Sequence, residues 1–470
     1  MINFTGNSGV IEGIFGGLET RRLLFMRTRK KSMRMKHIIA MAFHKIFNSM
    51  PYMFVKRFCV IISIILLMPN IYAIDKEKGW NVRNDGWHDC IREWWNIDAF
   101  VKGEKNYSIT ASFEYEKETP AANLFFTLFD WDENKTYDLG SYEDDISTIK
   151  CNSRYEVNIS YKSSWMKGRY PKYIVHLENE GVIVELELQA VSKPKFVLED
   201  EGGILPIGFG YYKYLFIPKC RVKGWIKFNG IFEKVEGAGY FEHVWGNWSY
   251  NNPLKGGAIL HYFRLFDWWI KNKNISMNSI TVASNNPFGY DWCWASFSNG
   301  WALFYGAIPF WVEEMKFGIA YLCDGEKIME LGKIYYEYLD GIFCEGTYIP
   351  TKIKLVAEGN GKLVLIMKMD KKPHLYKDYL NSFYWEKLIL YECPGEIRGY
   401  FINDEKIDLD GYCEIEIERQ ISIFKYLLFK LNPLQNGLQI LFISYLLNII
   451  LTLEFHLKPF FVDFDIRTIS

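Results

Sequence analysis

The hydrophobic pattern is dominated by short segments in which apolar and polar residues alternate, with Gly- and Asn-containing turns between them. A period of two is typical of β-strands with one buried face. The first set of such segments is 107–115, 123–131, 154–160 and 181–190. The second set is 257–266, 279–283, 292–297, 301–305, 316–322, 346–355, 362–369 and 385–392. The pattern predicts an all-β chain of antiparallel barrels or sandwiches.

Both ends of the chain depart from this pattern. Residues 1–52 carry a basic cluster and read as a non-globular basic extension. Residues 53–73 combine two basic residues with a short apolar run and end in Ala73, which is typical of a signal peptide or signal anchor. Residues 421–470 contain a long uncharged apolar stretch and predict a C-terminal apolar helix that anchors the chain in a membrane. The protein is therefore expected to be exported, extracytoplasmic and membrane-associated.

Charge and composition narrow the function. The chain has 55 basic and 56 acidic side chains, a balance that gives no support for nucleic-acid binding. Aromatic residues make up 17% of it, which suits β-sheets and the walls of an apolar pocket. No nucleotide-binding or hydrolase motif is present, so no cofactor is predicted. The nine cysteines lack metal-knuckle spacing, so no metal site is predicted, whereas eight of them could pair as disulfides after export.

One stretch near the middle concentrates the candidate chemistry. Residues 237–248 read Gly-Ala-Gly-Tyr-Phe-Glu-His-Val-Trp-Gly-Asn-Trp, and such glycines favour close approach of strands. In an extended strand His243 and Trp245 share one face while Glu242 points to the other. An imidazole beside an indole can exchange a proton next to an apolar or cationic group. The alternative is a buried histidine whose hydrogen bonds are satisfied at a domain junction.

This stretch resembles the signature Gly-x-Gly-Tyr-x-(Glu/Asp)-His-x-Trp-Gly of the carotenoid 1,2-hydratase (hydroxyneurosporene synthase) and AttH-like family, which is built from two lipocalin-like domains. Arg92-Glu93-Trp94-Trp95 resembles the Glu-Trp-Trp opening of that family, and Asp291-Trp292-Cys293-Trp294 resembles a strand of its second domain. The resemblance covers about residues 80 to 420. It implies two tandem lipocalin-like antiparallel β domains, residues 74–236 and 237–420, the second of which begins with the central motif.

In the hydratases that the chain resembles, water adds to an isoprenoid double bond without a redox cofactor, and the His-x-Trp pair is implicated. The resemblance therefore implies catalytic roles for His243 as acid or base and for Trp245 in stabilising positive charge. Glu242 is expected to be structural. The ligand, an apolar or isoprenoid-like small molecule, is expected to contact further aromatic residues and one histidine. These are Tyr240, Trp248, Trp94, Trp95, His261, Tyr262 and Trp292.

Three functions are consistent with the sequence. The first is an exported lipocalin-like protein that binds an apolar or isoprenoid-like lipid, and the alternative is a cofactor-independent hydratase, cyclase or isomerase. The third is a structural envelope protein whose aromatic residues form the core. Neither Asp267 nor Asp291 has the spacing of the downstream acid in the hydratases, so both are expected to be ordinary strand-end carboxylates. His88 is expected to be a loop residue.

Overall fold

The structure is a computed structural model that describes most of the chain between residues 79 and 421. The described ranges are 79–140, 142–207, 210–249, 275–277, 288–309, 315–344, 347–378 and 387–421. The predicted N-terminal extension, signal segment and C-terminal helix lie outside these ranges, as do His261 and Tyr262. The helices of the described part are short 3-10 turns at Val82–Asn84, Ile146–Thr148 and Glu199–Glu201. None of them has the length and apolar character needed to cross a membrane.

Fourteen strands of the described ranges form a first sheet in which neighbours are antiparallel. They are β1 (Arg92–Lys102), β2 (Asn106–Glu116), β3 (Ala121–Asp130), β4 (Lys135–Asp138), β5 (Tyr142–Asp145), β6 (Ile149–Cys151), β7 (Val157–Tyr161), β8 (Ser164–Arg169), β9 (Lys172–Asn179), β10 (Val182–Ala190), β11 (Lys195–Phe196), β12 (Leu205–Ile207), β13 (Gly210–Phe228) and β14 (Ile231–Asn247). The order across the sheet is β4-β3-β2-β1-β14-β13-β10-β9-β8-β7-β6, with β5 beside β3 and with β11 and β12 beside β13.

Eleven strands of the described ranges form a second antiparallel sheet. They are β15 (Ile275–Met277), β16 (Phe288–Phe297), β17 (Ala302–Pro309), β18 (Met315–Cys323), β19 (Ile328–Leu331), β20 (Lys333–Cys344), β21 (Thr347–Gly359), β22 (Gly361–Lys368), β23 (His374–Asp378), β24 (Lys387–Ile402) and β25 (Lys406–Ile421). The order is β15-β18-β17-β16-β25-β24-β22-β21-β20, with β19 beside β18 and β23 beside β24.

The two sheets share one topology. In each, a long hairpin made of the last two strands closes onto an early strand, β14 onto β1 and β25 onto β16. The early strand continues on its other side into a meander, β1-β2-β3 and β16-β17-β18. The all-β prediction is confirmed, and each sheet is a curled antiparallel half-barrel.

The central motif lies on β14 and therefore in the first sheet. Residues from Glu236 to Gly246 pair with β1, and the other edge of β14 pairs with β13. The boundary predicted between residues 236 and 237 falls inside this strand, so the motif closes the first sheet instead of opening the second. The reason is that one of its two neighbouring strands, β1, lies far away in sequence.

Glycines let β14 lie against its neighbours, as the glycine-rich motif predicted. A Cβ atom on Gly246 would lie 2.1 Å from the backbone oxygen of Tyr211, and one on Gly237 would lie 1.9 Å from that of Phe100. Any side chain at these positions would require the backbone of the neighbouring strand to move.

Four apolar clusters of the described residues stabilise the fold, and the smallest contains Cys90, Phe196, Leu215 and Trp245. Each sheet encloses its own core, to which β1 contributes Trp95 and Ile97 and β25 contributes Ile415 and Ile417. A third cluster lies between the sheets and is mainly aromatic. It contains Val197, Leu198, Leu205, Tyr214, Phe216, Tyr240, Val244, Trp292, Trp294, Phe304, Ile319 and Tyr321. Alternate residues from Gly239 to Gly246 face different cores, so this half of β14 is buried on both faces, whereas the first residues of the strand are mostly exposed.

The cysteines of the described part are unpaired. Cys90, Cys151, Cys220, Cys293, Cys323, Cys344, Cys393 and Cys413 are free thiols. The disulfides that the sequence left open are therefore not formed, and most of these side chains pack as small apolar groups inside the sheets.

Acidic side chains are also buried between the sheets. Burial, together with repulsion from Glu392, holds the pKa of Asp98 and of Glu414 well above the usual range. His374 lies 3.1 Å from Asp138 of the first sheet and 3.4 Å from Glu392 of the second, beside a cavity with room for about one water molecule. Burial alone would lower the pKa of His374, but these two carboxylates raise it to about 9. His374 therefore joins the sheets as a cation.

We expect His374→Gln to lower the free energy of unfolding by up to about 3 kcal/mol at about pH 6 and to have little effect above about pH 10. The folded pKa of about 9 lies above the ordinary value of 6.5. The stabilisation is therefore complete below the ordinary pKa and is lost as the pH rises through the folded one. Urea unfolding at both pH values measures it, with His176→Gln on β9 as the control. An equal loss at both pH values would contradict the prediction.

Candidate functional site

Glu93 is the centre of a buried hydrogen-bonded group at the start of β1. Its Oε1 lies 2.8 Å from His88 Nδ1 and 2.9 Å from His243 Nε2, and its Oε2 accepts a hydrogen bond of 2.5 Å from the Tyr115 hydroxyl. The backbone N–H of His88 also donates to both oxygens, at 3.0 and 3.1 Å. We call Glu93, His88, His243 and Tyr115 the Glu93 cluster. Burial alone would raise the pKa of Glu93, but the hydrogen bonds and charges of the two histidines lower it.

His243 is completely enclosed within the Glu93 cluster. Its side chain has no exposed surface, and its ring packs between those of Trp95 and Trp245, with centroids 4.6 and 4.7 Å away. Nδ1 lies 2.6 Å from the carbonyl oxygen of Asn84, and Nε2 faces Glu93. Because a carbonyl can only accept, Nδ1 carries a hydrogen. Neither ring nitrogen is available to a substrate, so the geometry favours a positioning role for His243 over direct catalysis.

His88 is the member of the Glu93 cluster that reaches the surface. Its side chain is 23% exposed, and its ring stacks on Trp245 with centroids 4.1 Å apart and an interplanar angle of 2°. Burial lowers the pKa of His88, although Glu93 acts in the opposite direction. The sequence predicted only a loop position for His88 and gave no indication of Glu93 as its partner. The available signal was the alternation of β1, which puts Glu93 on the same face as Trp95.

The opposite face of β14 carries a second polar group, centred on Glu242. Its Oε1 accepts a hydrogen bond of 2.8 Å from Trp94 Nε1, and its Oε2 accepts from the hydroxyls of Tyr240, at 2.8 Å, and Tyr214. Trp292 of the second sheet donates to the Tyr214 hydroxyl at 2.8 Å. We call these five residues the inter-sheet cluster. Burial raises the pKa of Glu242, although its three hydrogen bonds act to lower it.

Glu416 on β25 is a second carboxyl group near this interface. The Tyr290 hydroxyl donates a hydrogen bond to it. Burial and repulsion from Glu392 raise the pKa of Glu416 well above its usual range, and Glu242 adds to the repulsion. Each sheet therefore contributes one carboxyl group with a raised pKa, Glu242 and Glu416, and Tyr290 at the margin is half-buried.

Four of the predicted ligand-binding residues lie together. Tyr240, Trp94 and Trp292 belong to the inter-sheet cluster, and the ring of Trp248 is 6.3 Å from that of Trp94 in an edge-on arrangement. Trp94 is half-buried, whereas Trp248 is almost completely buried. Tyr240, Trp94 and Trp292 thus converge between the two sheets, with Trp248 beside Trp94.

The other predicted residues face the interior of the first sheet. Trp95 is completely buried and stacks on His243, and Trp245 is enclosed between His243 and His88. The prediction that Glu242 points away from His243 is confirmed, because the two side chains bind separate partners on opposite faces. The predicted catalytic pair and most of the predicted ligand contacts are therefore on different sides of one strand.

Asp291 lies inside β16, so the prediction of an ordinary strand-end carboxylate is wrong. Its carboxylate forms a buried ion pair of 2.7 Å with Arg419 of β25 and accepts a hydrogen bond from Tyr338. Each sheet therefore joins an acid of its early strand to a base of its last strand, Glu93 to His243 and Asp291 to Arg419. These two acid-base pairs are a residue-level similarity between the two half-barrels.

Comparison with known proteins identifies the fold. No family profile matches the sequence, and no curated protein matches it. A Nitrosomonas europaea protein designated AttH aligns with a TM-score of 0.51 and 14% identity, over 73% of this chain and 98% of its own. Kievitone hydratase from Nectria haematococca aligns with a TM-score of 0.50 and 11% identity, over 73% and 96%.

The chain has the AttH-like fold. The predicted fold relationship is confirmed, and at this level of identity it concerns the fold alone. Within the AttH-like fold of this chain, the Glu93 cluster and the inter-sheet cluster are the two polar groups on either side of the central strand.

We expect Glu93→Gln to lower the free energy of unfolding by about 2–4 kcal/mol at neutral pH, because an amide cannot accept from all the donors around this carboxylate. The folded pKa of Glu93 is lowered, so the loss should be present above the ordinary pKa of 4.5 and should disappear as the pH falls through the folded one. Urea unfolding at about pH 7 and about pH 3 tests this.

Glu178→Gln is the matched control, because Glu178 is an exposed carboxylate beside His176 on β9. It should cost less than about 0.5 kcal/mol. A loss as small as this for Glu93→Gln at neutral pH would show that the Glu93 cluster does not stabilise the fold.

Proposed function

We propose that this protein binds an apolar or isoprenoid-like small molecule at the inter-sheet cluster. The observation that carries the proposal is the carboxyl group of Glu242, held by three aromatic donors where the two sheets meet. A few convergent polar groups within aromatic walls are the usual composition of small-molecule sites. Half-buried Trp94 and Tyr290 offer a margin from which a ligand can enter.

The chemistry of the cluster favours an uncharged ligand. Trp94, Tyr240 and Trp292 offer ring faces and edges to hydrocarbon. Burial raises the pKa of Glu242 and of Glu416, and a protonated carboxyl group can hydrogen-bond to a hydroxyl or a carbonyl group. An anionic ligand would oppose any residual negative charge on these carboxyl groups, so a neutral lipid with one polar end fits best.

The fold and the chain termini give secondary support. The AttH-like fold is shared with a protein named as a hydratase, which is consistent with small-molecule chemistry on this scaffold. We also propose, from residues 53–73 and 421–470, that the protein is exported and associated with a membrane, where apolar molecules are concentrated.

We expect the full chain to bind farnesol, an uncharged isoprenoid alcohol, saturably and at one site. Trp94→Ala should weaken this binding at least about tenfold, because it removes both a ring contact and a donor to Glu242. Equilibrium dialysis with detection by mass spectrometry measures the affinity. Trp165→Ala is the control, because Trp165 lies on β8 and stacks on His176 away from the interface.

Unchanged affinity in Trp94→Ala, or an equal loss in Trp165→Ala, would contradict binding at the inter-sheet cluster. Absence of saturable binding by the wild type to farnesol and to a longer isoprenoid alcohol would contradict the proposed ligand class.

A second candidate function is acid-catalysed hydration or isomerisation of a double bond, with Glu242 as the acid. The raised pKa of this buried carboxyl is the observation that favours it. The proton would pass from Glu242 to one alkene carbon, and the rings of Trp94 and Trp292 would stabilise the resulting cation. Water would then add to the cation and return a proton to the carboxylate. This proposal moves the acid from His243 to Glu242.

If the protein is a hydratase or isomerase, Glu242→Gln should lower its rate by about 10²–10⁴-fold while leaving ligand affinity within about tenfold. The wild-type rate should fall as the pH rises through the raised pKa, because the acid must be protonated. Incubation with isoprenoid lipids, followed by mass spectrometry for an added water or a shifted double bond, measures conversion. Conversion that survives Glu242→Gln would exclude Glu242 as the acid.

A further inference from the structure

We infer that the Glu93 cluster is a site for one divalent transition-metal ion of the zinc class, bound by His88, Glu93 and His243. The inference is independent of the proposed ligand site, which lies on the other face of β14. His88 Nδ1, Glu93 Oε1 and His243 Nε2 all lie within 4.8 Å of one another, and they come from the loop before β1, from β1 and from β14.

The donor set is the one that such metals use. Two imidazole nitrogens and one carboxylate oxygen form the protein ligands of many zinc sites and of the two-histidine, one-carboxylate iron sites. Ligand atoms around a tetrahedral zinc ion lie about 3.4 Å apart. The separations of 2.8 and 2.9 Å from Glu93 to the two histidines therefore need to widen by only a few tenths of an ångström. His88 lies in a loop and is partly exposed, so it can make this adjustment.

The surrounding hydrogen bonds orient the ligands for a metal. A metal-bound histidine usually donates its other ring N–H to a backbone carbonyl or a carboxylate. The Nδ1 of His243 lies 2.6 Å from the Asn84 carbonyl oxygen, which leaves Nε2 as the ligand atom. Tyr115 donates to the second oxygen of Glu93, so Oε1 is the carboxylate atom turned toward both histidines. Metal ligands in proteins usually have such supporting hydrogen bonds, and here the Asn84 carbonyl and the Tyr115 hydroxyl supply them.

The charge at the centre of the cluster also calls for a cation. A divalent ion between His243 Nε2, Glu93 Oε1 and His88 Nδ1 would neutralise a fully buried carboxylate. Closely spaced cysteines, the sequence signal of a metal knuckle, are absent here because these ligands are separated by up to 155 residues along the chain, between positions 88 and 243.

The test uses the full chain after removal of metals with a chelator. Co²⁺ should bind with a stoichiometry of one and give the visible absorption of a site with nitrogen and oxygen ligands. Zn²⁺ should displace it and raise the midpoint of thermal unfolding. Because the eight described cysteines are free thiols, the spectrum also serves as a control: thiolate ligands would add strong near-ultraviolet charge-transfer absorption. A spectrum of that kind would overturn the proposed ligand set.

His88→Gln and Glu93→Gln should each lower Co²⁺ affinity by at least about tenfold. His88 is partly exposed, so His88→Gln is expected to fold even if Glu93→Gln does not. His176→Gln is the matched control, because His176 lies beside Glu178 and Glu185 on the first sheet and should not contribute. No Co²⁺ binding by folded wild type, or equal binding by wild type and His88→Gln, would overturn the inference.

Discussion

Burial of the second half of β14, from Gly239 to Gly246, on both faces is the constraint on which the rest of the structure depends. The strand lies between β1 and β13 in the first sheet, and alternate side chains of this half enter the core of that sheet and the aromatic cluster between the sheets. This half of the strand has no solvent-facing side on which to place polar groups. Its His243 and Glu242 must therefore find partners inside the protein, because an unsatisfied buried polar group costs about 1–3 kcal/mol, a large fraction of a domain's stability.

The buried polar groups on the two faces of β14 bind different kinds of partner. His243 faces a carboxylate and a carbonyl group, so charge and hydrogen bonding compensate for its burial. Glu242 instead meets the neutral donors of Trp94, Tyr214 and Tyr240, which satisfy its oxygens without supplying a positive charge. The pKa of Glu242 is consequently raised, whereas that of Glu93 is lowered. The two faces of β14 thus meet carboxyl groups whose pKa values are shifted in opposite directions, and this difference separates the candidate metal site from the candidate ligand site.

The two half-barrels repeat this arrangement in part. Glu93 and Asp291 each lie on an early strand and each pair with a base from the last strand of the same sheet. The next residue in each case is a tryptophan, Trp94 or Trp292, whose indole N–H reaches the inter-sheet cluster. The acid-tryptophan pairs Glu93-Trp94 and Asp291-Trp292, which belong to the motifs that resemble the family, thus have a common physical basis. The acid secures the strand inside its own sheet, and the tryptophan joins the two sheets.

Much of the fold was predictable from local pattern. Alternation of apolar and polar residues predicted an all-β chain, and the glycines of the motif predicted close strand contacts, since both depend on properties of neighbouring residues. The alternation also placed His243 and Glu242 on opposite faces. The site was predictable only in part: the ligand residues Tyr240, Trp94 and Trp292 were named together, but His88 and Tyr214 were not recognised as partners of Glu93 and Glu242.

The sequence by itself determined which residues alternate, where the chain turns and which stretch carries the unusual chemistry. Only the tertiary structure decided that this stretch closes the first sheet, because its pairing with β1 joins residues about 150 positions apart. It also decided that the acidic positions of β25, such as Glu414, are buried and not solvated. The alternation is the same whether the polar face of a strand meets water or another sheet, so the pattern cannot distinguish the two. That choice depends on how the second half-barrel packs against the first.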